Sequence, residues 1–410
     1  MGLGLEKMMA LEEGLYGSRS GALSFEVWFD EKAIIQRGFK KCLIARSVYT
    51  KQVGDQIVRL FRHSDDSRMS CADEKILVEE CKQLSELIRM SEWVKPEKFI
   101  GCSLEYGSNY ILIRQTDKIL EMEAKFHDLI IMCNPKRRRR QTMLPSNALD
   151  DDTSLSPEVI KTLSGKAITE YRSIVGAENW ISSIRMDCKF AQHIVAGKMA
   201  EPRNWDLYCA IWYLEYLVET ADYPLVLGGP IIDPQAMSDA SFGTMSEKRS
   251  VKAHMVRTGP QSGAILASTD TIKIATTSVW DCEVQAASDA VDSLSYVMNL
   301  CDDLGFETEN NRRVQIDSQS GLDWYNSSKI NSKSRHLQIK YYHTKHSVQE
   351  GVVSMEHVDG GRNDIDLGTK IHGIKKTRQL SRNMLGHNLV LGRGIRGIIE
   401  LDEHEDSEDV

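Results

Sequence analysis

Residues 236–243 read AMSDASFG, and the acid inside them, Asp239, follows a short apolar segment that is typical of a β-strand. Three more acids stand at predicted element boundaries: Glu283 opens a helix in VWDCEVQAASDA, Asp317 follows a strand in RRVQIDSQSG, and Asp366 opens a helical turn in RNDIDLGTK. Carboxylates at the ends of different elements can meet at one point, where their charge needs cations. These segments therefore predict a site for two hard divalent metal ions.

The chain around these acids predicts a mixed α/β layer. Apolar and β-branched runs favour strands at 235–242, 250–257, 262–268, 271–277, 312–317 and 351–358. A long helix is expected over 281–303, because its apolar residues recur three and four positions apart. Shorter helices are expected at 319–327, 335–350 and 363–370. This order of elements indicates an α+β sheet covered by helices.

The preceding half of the chain mixes strands and helices. DQIVRLF predicts a strand, residues 74–90 predict a helix, and residues 97–117 predict a β-hairpin. Helices are expected to dominate 158–220. Prolines and charge blocks favour a linker or long exposed loop over 133–157. The basic, Gly-rich stretch 371–400 and the acidic residues 401–410 favour a flexible tail. The predicted divisions are 1–132, 133–157 (linker), 158–229, 230–370 and 371–410 (tail).

Composition places the chain among ordinary globular proteins. Of 410 residues, 41% are hydrophobic and 27% charged, and the net charge of −8 indicates no particular partner. The nine cysteines form no CxxC pair, which argues against a disulfide scaffold or zinc ribbon. With no long apolar run and no secretory leader pattern, we expect no membrane contact and an intracellular location, cytoplasmic or nuclear.

Two features outside the acidic segments have competing interpretations. The basic run Lys136–Arg140 is compatible with nucleic-acid contact, a nuclear import signal or a solvated loop, and the sequence leaves all three open. Trp205, Trp212, Tyr213 and Tyr216 lie in a predicted helix. We expect these rings to belong to the core and not to stack on bases.

Several blocks, in order, resemble those of copia-type retrotransposon polymerase polyproteins. LYGSRSGALSF (15–25) resembles the block LYGLKQAPRAW, KFIGCSLEY (98–106) resembles FLGIEIEY, and LEYLVETADYPLVLGG (214–229) resembles LRYLKGTKDYGL. Further along, SDASFG, WDCEVQAAS, IDSQSG, SRHLQIKYY and IDLGTK resemble DADWAG, STEAEYMA, CDNQSAI, TKHIDIRYH and LADILTK. The resemblance covers residues 15–370 and corresponds to the end of the reverse transcriptase followed by ribonuclease H.

The resemblance implies a ribonuclease H-like mixed five-stranded sheet with flanking helices, after a partial reverse-transcriptase palm and a helical thumb or connection region. It implies hydrolysis of the RNA strand of RNA–DNA hybrids with two Mg²⁺ ions, for which Mn²⁺ can substitute. Asp239 would bridge both ions, Glu283 and Asp317 would share one, and Asp366 would hold the other. Asp364 is an alternative to Asp366, but the register of IDLGTK against LADILTK favours Asp366.

Four more residues are singled out by the resemblance. Arg335, His336 and Lys340 in SRHLQIKYY would contact the phosphates of the hybrid, although solvated helix charges explain them equally well. His357 precedes Asp366 by nine residues. It would assist product release, or it is simply an exposed histidine at the end of a strand.

The polymerase half departs from the family, which carries YVDD on a hairpin and a third aspartate further upstream. The corresponding segment here, RHSDD, retains Asp65 and Asp66, but the following SRMSCAD is not typical of a central strand. The third aspartate would lie before residue 1. Because two-metal polymerisation needs that carboxylate, we expect Asp65 and Asp66 to be a relic without DNA synthesis.

Three functions compete at this point. The first is Mg²⁺-dependent cleavage of hybrids. The second is a catalytically dead retroelement remnant that at most binds nucleic acid; divergence of the polymerase half favours it, and retention of the four carboxylates opposes it. The third is an intact polymerase, which the missing aspartate opposes. No oligomeric state is predicted.

Overall fold

The computed structural model describes residues 19–63, 66–88, 91–150, 156, 158–245, 248–273, 276, 278–309, 312–327 and 339–400. The chain divides into two compact units. One contains the residues up to Lys95 together with Met298–Glu307, and the other contains Pro96–Val297 and the residues from Thr308 onwards. The five-part division drawn from the sequence stays a prediction.

The first unit is built on a four-stranded antiparallel sheet in the order β1-β2-β3-β4. Its elements are α1 (Arg19–Trp28), β1 (Lys40–Lys41), β2 (Val48–Val53), β3 (Gln56–His63), β4 (Asp66–Ser70) and α2 (Glu74–Ser85). The expected strand in DQIVRLF is β3, whose alternate residues Val58 and Leu60 are fully buried. The strand that contains most of SRMSCAD, β4, lies at the sheet edge, as its polar sequence predicts.

The second unit begins with a hairpin and a group of helices. Its first elements are β5 (Lys98–Phe99), β6 (Cys102–Tyr106), β7 (Tyr110–Arg114), α3 (Thr116–Lys125), α4 (His127–Cys133), α5 (Lys166–Ile181), α6 (Lys189–Ala196), α7 (Asn204–Glu219) and β8 (Leu225–Gly228). The predicted hairpin is β6–β7, and β8 adds to it antiparallel. Tyr213 and Tyr216 are buried in the core between these helices, as expected, whereas Trp205 and Trp212 are half-buried.

A five-stranded mixed sheet follows, in the order β11-β10-β9-β12-β13. Its strands are β9 (Gln235–Ser241), β10 (Val251–Arg257), β11 (Ala264–Thr271), β12 (Arg313–Ile316) and β13 (Ser354–His357). The first three pair antiparallel, and β12 runs parallel to both of its neighbours. The predicted α+β sheet is confirmed. The strand predicted at 262–268 is β11, which extends to Thr271 in its pairing with β10. The strand predicted at 271–277 is wrong for the described residues after Thr271, none of which is in a strand.

Helices flank this sheet. They are α8 (Val279–Asp303), α9 (Gln319–Asn326), α10 (Ile339–Gln349) and α11 (Ile374–Met384), with a 3₁₀ turn at Asp364–Gly368. The predicted apolar stripe of α8 is buried throughout: Val284, Ala287, Val291, Leu294, Met298 and Cys301. Burial of this stripe holds the start of α8 in place, and Glu283 lies in that start.

The prediction of a linker or long exposed loop over 133–157 is wrong for part of residues 133–150, since residues 135–139 are exposed but several of the others are buried. Met143 and Leu144 are buried in the core, and Arg140 is buried against Glu215 and the Trp212 ring. After Cys133, which ends α4, the segment up to residue 150 has no helix or strand. Its conformation is held by the buried side chains of Arg140, Met143 and Leu144. Pro157 and residues 151–155 lie outside the described part of the chain.

The prediction of a flexible tail from residue 371 is wrong as far as residue 400. Residues 374–384 form α11, and Leu380 and Met384 on one face of it are buried in the core of the second unit. The charged residues of α11 lie at positions other than this buried face. The helix is therefore amphipathic and is stabilised by burial of its apolar face, although the composition of the segment favours disorder. Residues 401–410 lie outside the described part.

Candidate metal centre

Three of the predicted acids lie at one edge of the five-stranded sheet. Asp239 is on β9, opposite Ala253 of β10. Asp317 directly follows β12, whose last residue, Ile316, pairs with Ser238 of β9. Because β9 and β12 are parallel neighbours, this register puts the two aspartates side by side. Glu283, near the start of α8, approaches the same edge from the helix layer.

The carboxylates of Asp239, Glu283 and Asp317 form an acidic triad. One ligand oxygen from each lies within 4.8 Å of the other two. Asp239 is 1% exposed and Glu283 is 6% exposed, while Asp317 is half-buried and gives the triad its open side. Among the described residues this is the group whose acidic side chains could hold a metal ion.

The donor atoms of the triad fit a hard divalent cation. All three are carboxylates, the ligands that Mg²⁺, Mn²⁺ and Ca²⁺ prefer. Asp239 Oδ1 and Glu283 Oε2 are buried and accept no hydrogen bond. A buried polar atom without a partner is costly, and two such oxygens from neighbouring acids are costlier still. A bound cation would satisfy both oxygens and offset the negative charge.

The electrostatics of the triad agree with this fit. Burial, and then the neighbouring carboxylates of Asp239 and Asp317, raise the pKa of Glu283 to about 9. Burial raises the pKa of Asp239 to about 7; Lys370 and Thr369 counteract it, while Asp317 and Asp366 add to it. Without a metal ion these acids therefore retain protons near neutral pH, and metal binding would release them.

Asp366 lies beside the triad but is not one of the residues grouped within 4.8 Å. Its Oδ1 contacts Lys370 Nζ at 2.5 Å, and its Oδ2 contacts His372 Nε2 at 3.2 Å and Lys376 Nζ. Burial by itself would raise the pKa of Asp366, but hydrogen bonds from His372, Lys370 and Lys376 outweigh it and hold the pKa well below its usual range. Its role as a metal ligand stays a prediction.

The turn that carries Asp366 is fastened to β9. Asn363 Nδ2 donates to the Ser238 carbonyl at 3.0 Å, and Thr369 Oγ1 donates to Asp239 Oδ2. Gly368 lies so close to β10 that an added Cβ would be 2.7 Å from the Ala253 Cβ. These contacts hold Asp366 next to Asp239 and leave no room for a larger residue at the turn.

Asp364, the alternative to Asp366, has structural partners. Its Oδ2 accepts a bond from Arg257 Nη1 at 3.2 Å, and its Oδ1 accepts one from Asn383 Nδ2 at 2.8 Å. Asn383 belongs to α11, so this carboxylate joins the turn to both β10 and the C-terminal helix. Both of its oxygens are therefore engaged by residues outside the triad.

The remaining predicted residues are placed only in part. His357 ends β13, is exposed, and pairs in register with Ile316, the residue before Asp317. Asp66 is exposed at the start of β4. Asp65, Arg335 and His336 lie outside the described residues, as does the side chain of Lys340.

The basic run has a structural explanation for three of its members. Arg140 Nε contacts Glu215 Oε2 at 3.1 Å and its guanidinium lies 3.7 Å from the centre of the Trp212 ring. Arg137 contacts Glu123 at 2.8 Å and Arg139 contacts Glu219 at 3.1 Å. These ion pairs account for much of the positive charge without any nucleic acid.

No protein-family model matches the chain. It is 21% identical over 364 residues to the retrovirus-related Pol polyprotein from transposon RE1 of Arabidopsis thaliana, and 22% identical over 367 residues to that from RE2. It is 20% identical to that from transposon TNT 1-94 of Nicotiana tabacum. These alignments cover 85–88% of the chain. Its homologues are retrovirus-related Pol polyproteins of copia-type transposons.

The chain spans only about a quarter of the length of these polyproteins, 23–27%. Among solved structures, ribonuclease H1 from the archaeon Halobacterium salinarum NRC-1 covers 32% of the chain at 17% identity and a TM-score of 0.23. LC11-RNase H1, isolated from compost, covers 32% at 15% identity and a TM-score of 0.26; 89% of each of these two chains is covered. The polyprotein homologues and the observed mixed five-stranded sheet agree with the fold that the sequence resemblance predicts.

Local sequence pattern did not point to the cations around Asp366. Lys370 was visible in IDLGTK, four residues after the acid, a spacing at which side chains can meet on a helical turn. His372 and Lys376 lie in a segment that composition assigned to a flexible tail, so nothing in the local pattern could place them at the site. No helix among the described residues combines the length and apolar content needed to cross a membrane.

Proposed function

We propose that this chain hydrolyses the RNA strand of RNA–DNA hybrids in a reaction that depends on Mg²⁺. The observation that carries the proposal is the acidic triad, with its three ligand oxygens within 4.8 Å and two buried oxygens that lack hydrogen-bond partners. The chain covers a quarter of its homologues, so the activities of a complete polyprotein are not assigned to it.

Asp239, Glu283 and Asp317 would hold one divalent ion, and Asp239 with Asp366 would hold a second. When bound, such ions lower the pKa of coordinated water and stabilise the charge that develops on the leaving 3′-oxygen. Within the protein, the hydrogen bond from Thr369 Oγ1 fixes the orientation of the Asp239 carboxylate. Burial of Asp239 and Glu283 excludes water from all but the Asp317 side, where the substrate phosphate would enter.

Mg²⁺ is commonly bound by a few carboxylates together with oxygens of the substrate phosphates. A half-buried Asp317 beside two buried acids suits that arrangement, since one side of the ion would be left for a phosphate. His357, exposed at the end of the neighbouring strand, is proposed to assist product release. Arg335, His336 and Lys340 are proposed contacts for the hybrid backbone.

The test is a hybrid-cleavage assay on the purified chain with a labelled RNA strand. Cleavage is expected with Mg²⁺ or Mn²⁺ and not with EDTA, and Asp239→Asn is expected to abolish it while the circular dichroism spectrum stays unchanged. Asp117→Asn, at an exposed aspartate distant in sequence, is the matched control and should cleave normally. Cleavage by Asp239→Asn at the wild-type rate would refute the assignment.

A domain that binds nucleic acid without cleaving it is the second candidate. It is favoured by the engagement of Asp366 with Lys370, His372 and Lys376, which occupies both oxygens of that carboxylate. This candidate predicts hybrid binding that is insensitive to Mg²⁺, with no cleavage at any metal concentration. The same assay therefore separates the two candidates.

The polymerase half is proposed to be inactive. Asp66 begins an edge strand whose residues are exposed or half-exposed, and none of its side chains is fully buried. A catalytic carboxylate needs a rigidly packed strand beneath it to hold metal ions in place. Primer extension by the purified chain, above the level of an Asp66→Asn variant, would overturn this proposal.

A further inference from the structure

A lysine of the chain itself lies between two of the proposed metal ligands. Lys370 Nζ is 2.5 Å from Asp366 Oδ1 and 3.5 Å from Asp239 Oδ2. Its ammonium therefore links the two carboxylates that would share a second divalent ion. Lys376 Nζ, from α11, contacts the other oxygen of Asp366.

The two oxygens of Asp239 have different surroundings. Oδ2 accepts a hydrogen bond from Thr369 and faces the Lys370 ammonium, whereas Oδ1 is buried and has no hydrogen-bond partner. Glu283 Oε2 is buried and without a partner as well. The Lys370 ammonium thus lies on the Asp366 side of Asp239, while Asp239 Oδ1 and Glu283 Oε2 accept no hydrogen bond.

We infer that Lys370 is a resident cation that occupies the position of a second divalent ion between Asp239 and Asp366. This inference deepens the proposed function and rests on it. The triad would bind one divalent ion readily. A second ion would bind only after the Lys370 ammonium moves away, because a cation and a unit positive charge a few ångströms apart repel each other.

The side chain of Lys370 is able to make that movement. It is 41% exposed, and a lysine carries its charge on a flexible four-carbon stem. A phosphate of a bound hybrid would offer the ammonium another anionic partner and would also supply an oxygen ligand to the second ion. Entry of the second ion would therefore be coupled to arrival of the substrate.

The experiment counts Mn²⁺ ions bound to the full chain, without nucleic acid, by electron paramagnetic resonance and calorimetry at neutral pH. Wild type is expected to bind one ion tightly. Lys370→Met is expected to bind a second, with its affinity raised about tenfold or more because the competing charge is gone. Lys370→Arg, which keeps the charge, should bind one ion, as should Lys98→Met, whose lysine pairs with exposed Asp117.

Two equivalent Mn²⁺ ions on the wild-type chain would overturn the inference. A folded Lys370→Met variant that binds no more Mn²⁺ than wild type would overturn it too. Folding of each variant is checked by its thermal unfolding midpoint. The cleavage assay on the same wild-type preparation tests the proposed function separately. If the Mn²⁺ counts are as expected but no hybrid is cleaved, the inference about Lys370 stands and the proposed nuclease activity is rejected.

Discussion

Replacement of Asp239 by Asn should stabilise the metal-free chain at alkaline pH. Asp239 is 1% exposed, and burial is the main reason that its pKa rises from 3.8 to about 7. A shift of about three pKa units corresponds to about 4 kcal/mol that the ionised carboxylate costs the folded state. The attraction of Lys370 is already included in that shift, but the new amide must find hydrogen-bond partners in the buried site, which costs about 1–3 kcal/mol. A net gain of about 1–3 kcal/mol remains.

The sign of the pH dependence follows from the direction of the shift. Below about pH 4 the Asp239 carboxyl is protonated in both the folded and the unfolded chain, so it does not reduce the free energy of unfolding of the wild type there. As pH rises, the unfolded chain releases its proton first, and the folded state loses stability until the pH passes about 7. Glu283, with its pKa raised to about 9, extends the same decline to higher pH. The gain from Asp239→Asn should therefore be present at pH 8 and absent at pH 5.

Thermal unfolding in EDTA at pH 5 and pH 8 measures this effect. In a chain of this size, each kcal/mol moves the unfolding midpoint by about 2 °C, so the variant should unfold a few degrees above wild type at pH 8. Excess Mg²⁺ should raise the midpoint of wild type and not that of the variant. The reasoning is refuted if the variant is less stable than wild type at pH 8 in EDTA, or if the difference is the same at both pH values.

Further predictions concern the close approach at Gly368, the buried Arg140–Glu215 ion pair and removal of the metal ion. Gly368→Ala should weaken both Mn²⁺ binding and cleavage and should lower the stability by about 1–3 kcal/mol, because its Cβ would meet the Ala253 Cβ at 2.7 Å. Gly373→Ala, where an added Cβ meets no atom within 4 Å, should leave Mn²⁺ binding, cleavage and stability unchanged. Arg140→Ala should destabilise the chain by about 3–5 kcal/mol in chemical denaturation, since it leaves Glu215 buried without its cation, while exposed Lys136→Ala should be neutral. Removal of Mg²⁺ by EDTA should lower the wild-type midpoint more at pH 8 than at pH 5, where protons take the place of the metal.

Much of the site follows from local sequence pattern. Asp239 lies in a predicted strand, Asp317 directly follows another, and Glu283 lies near the start of a helix whose apolar residues recur at helical spacing in the sequence. The period of the pattern distinguishes strand from helix, and position directly after a strand places Asp317 at the edge of the sheet. The family resemblance supplied the prediction of a mixed five-stranded sheet with flanking helices, and the order of its strands came from the structure. Local pattern was least reliable where charge was dense, as in the segments after residues 133 and 371.

Which acids actually meet was decided by the tertiary structure. The parallel register of β9 and β12 brings Asp317 to Asp239, and the packing of α8 adds Glu283, so the triad depends on pairings between residues far apart in the chain. Lys376, one of the partners of Asp366, belongs to a helix that composition alone does not predict, because burial of one face of α11 stabilises a segment whose average character is polar. Local sequence determines in which strand or helix a carboxylate lies. Whether other carboxylates or a lysine lie next to it depends on contacts between distant parts of the chain, which only the folded structure shows.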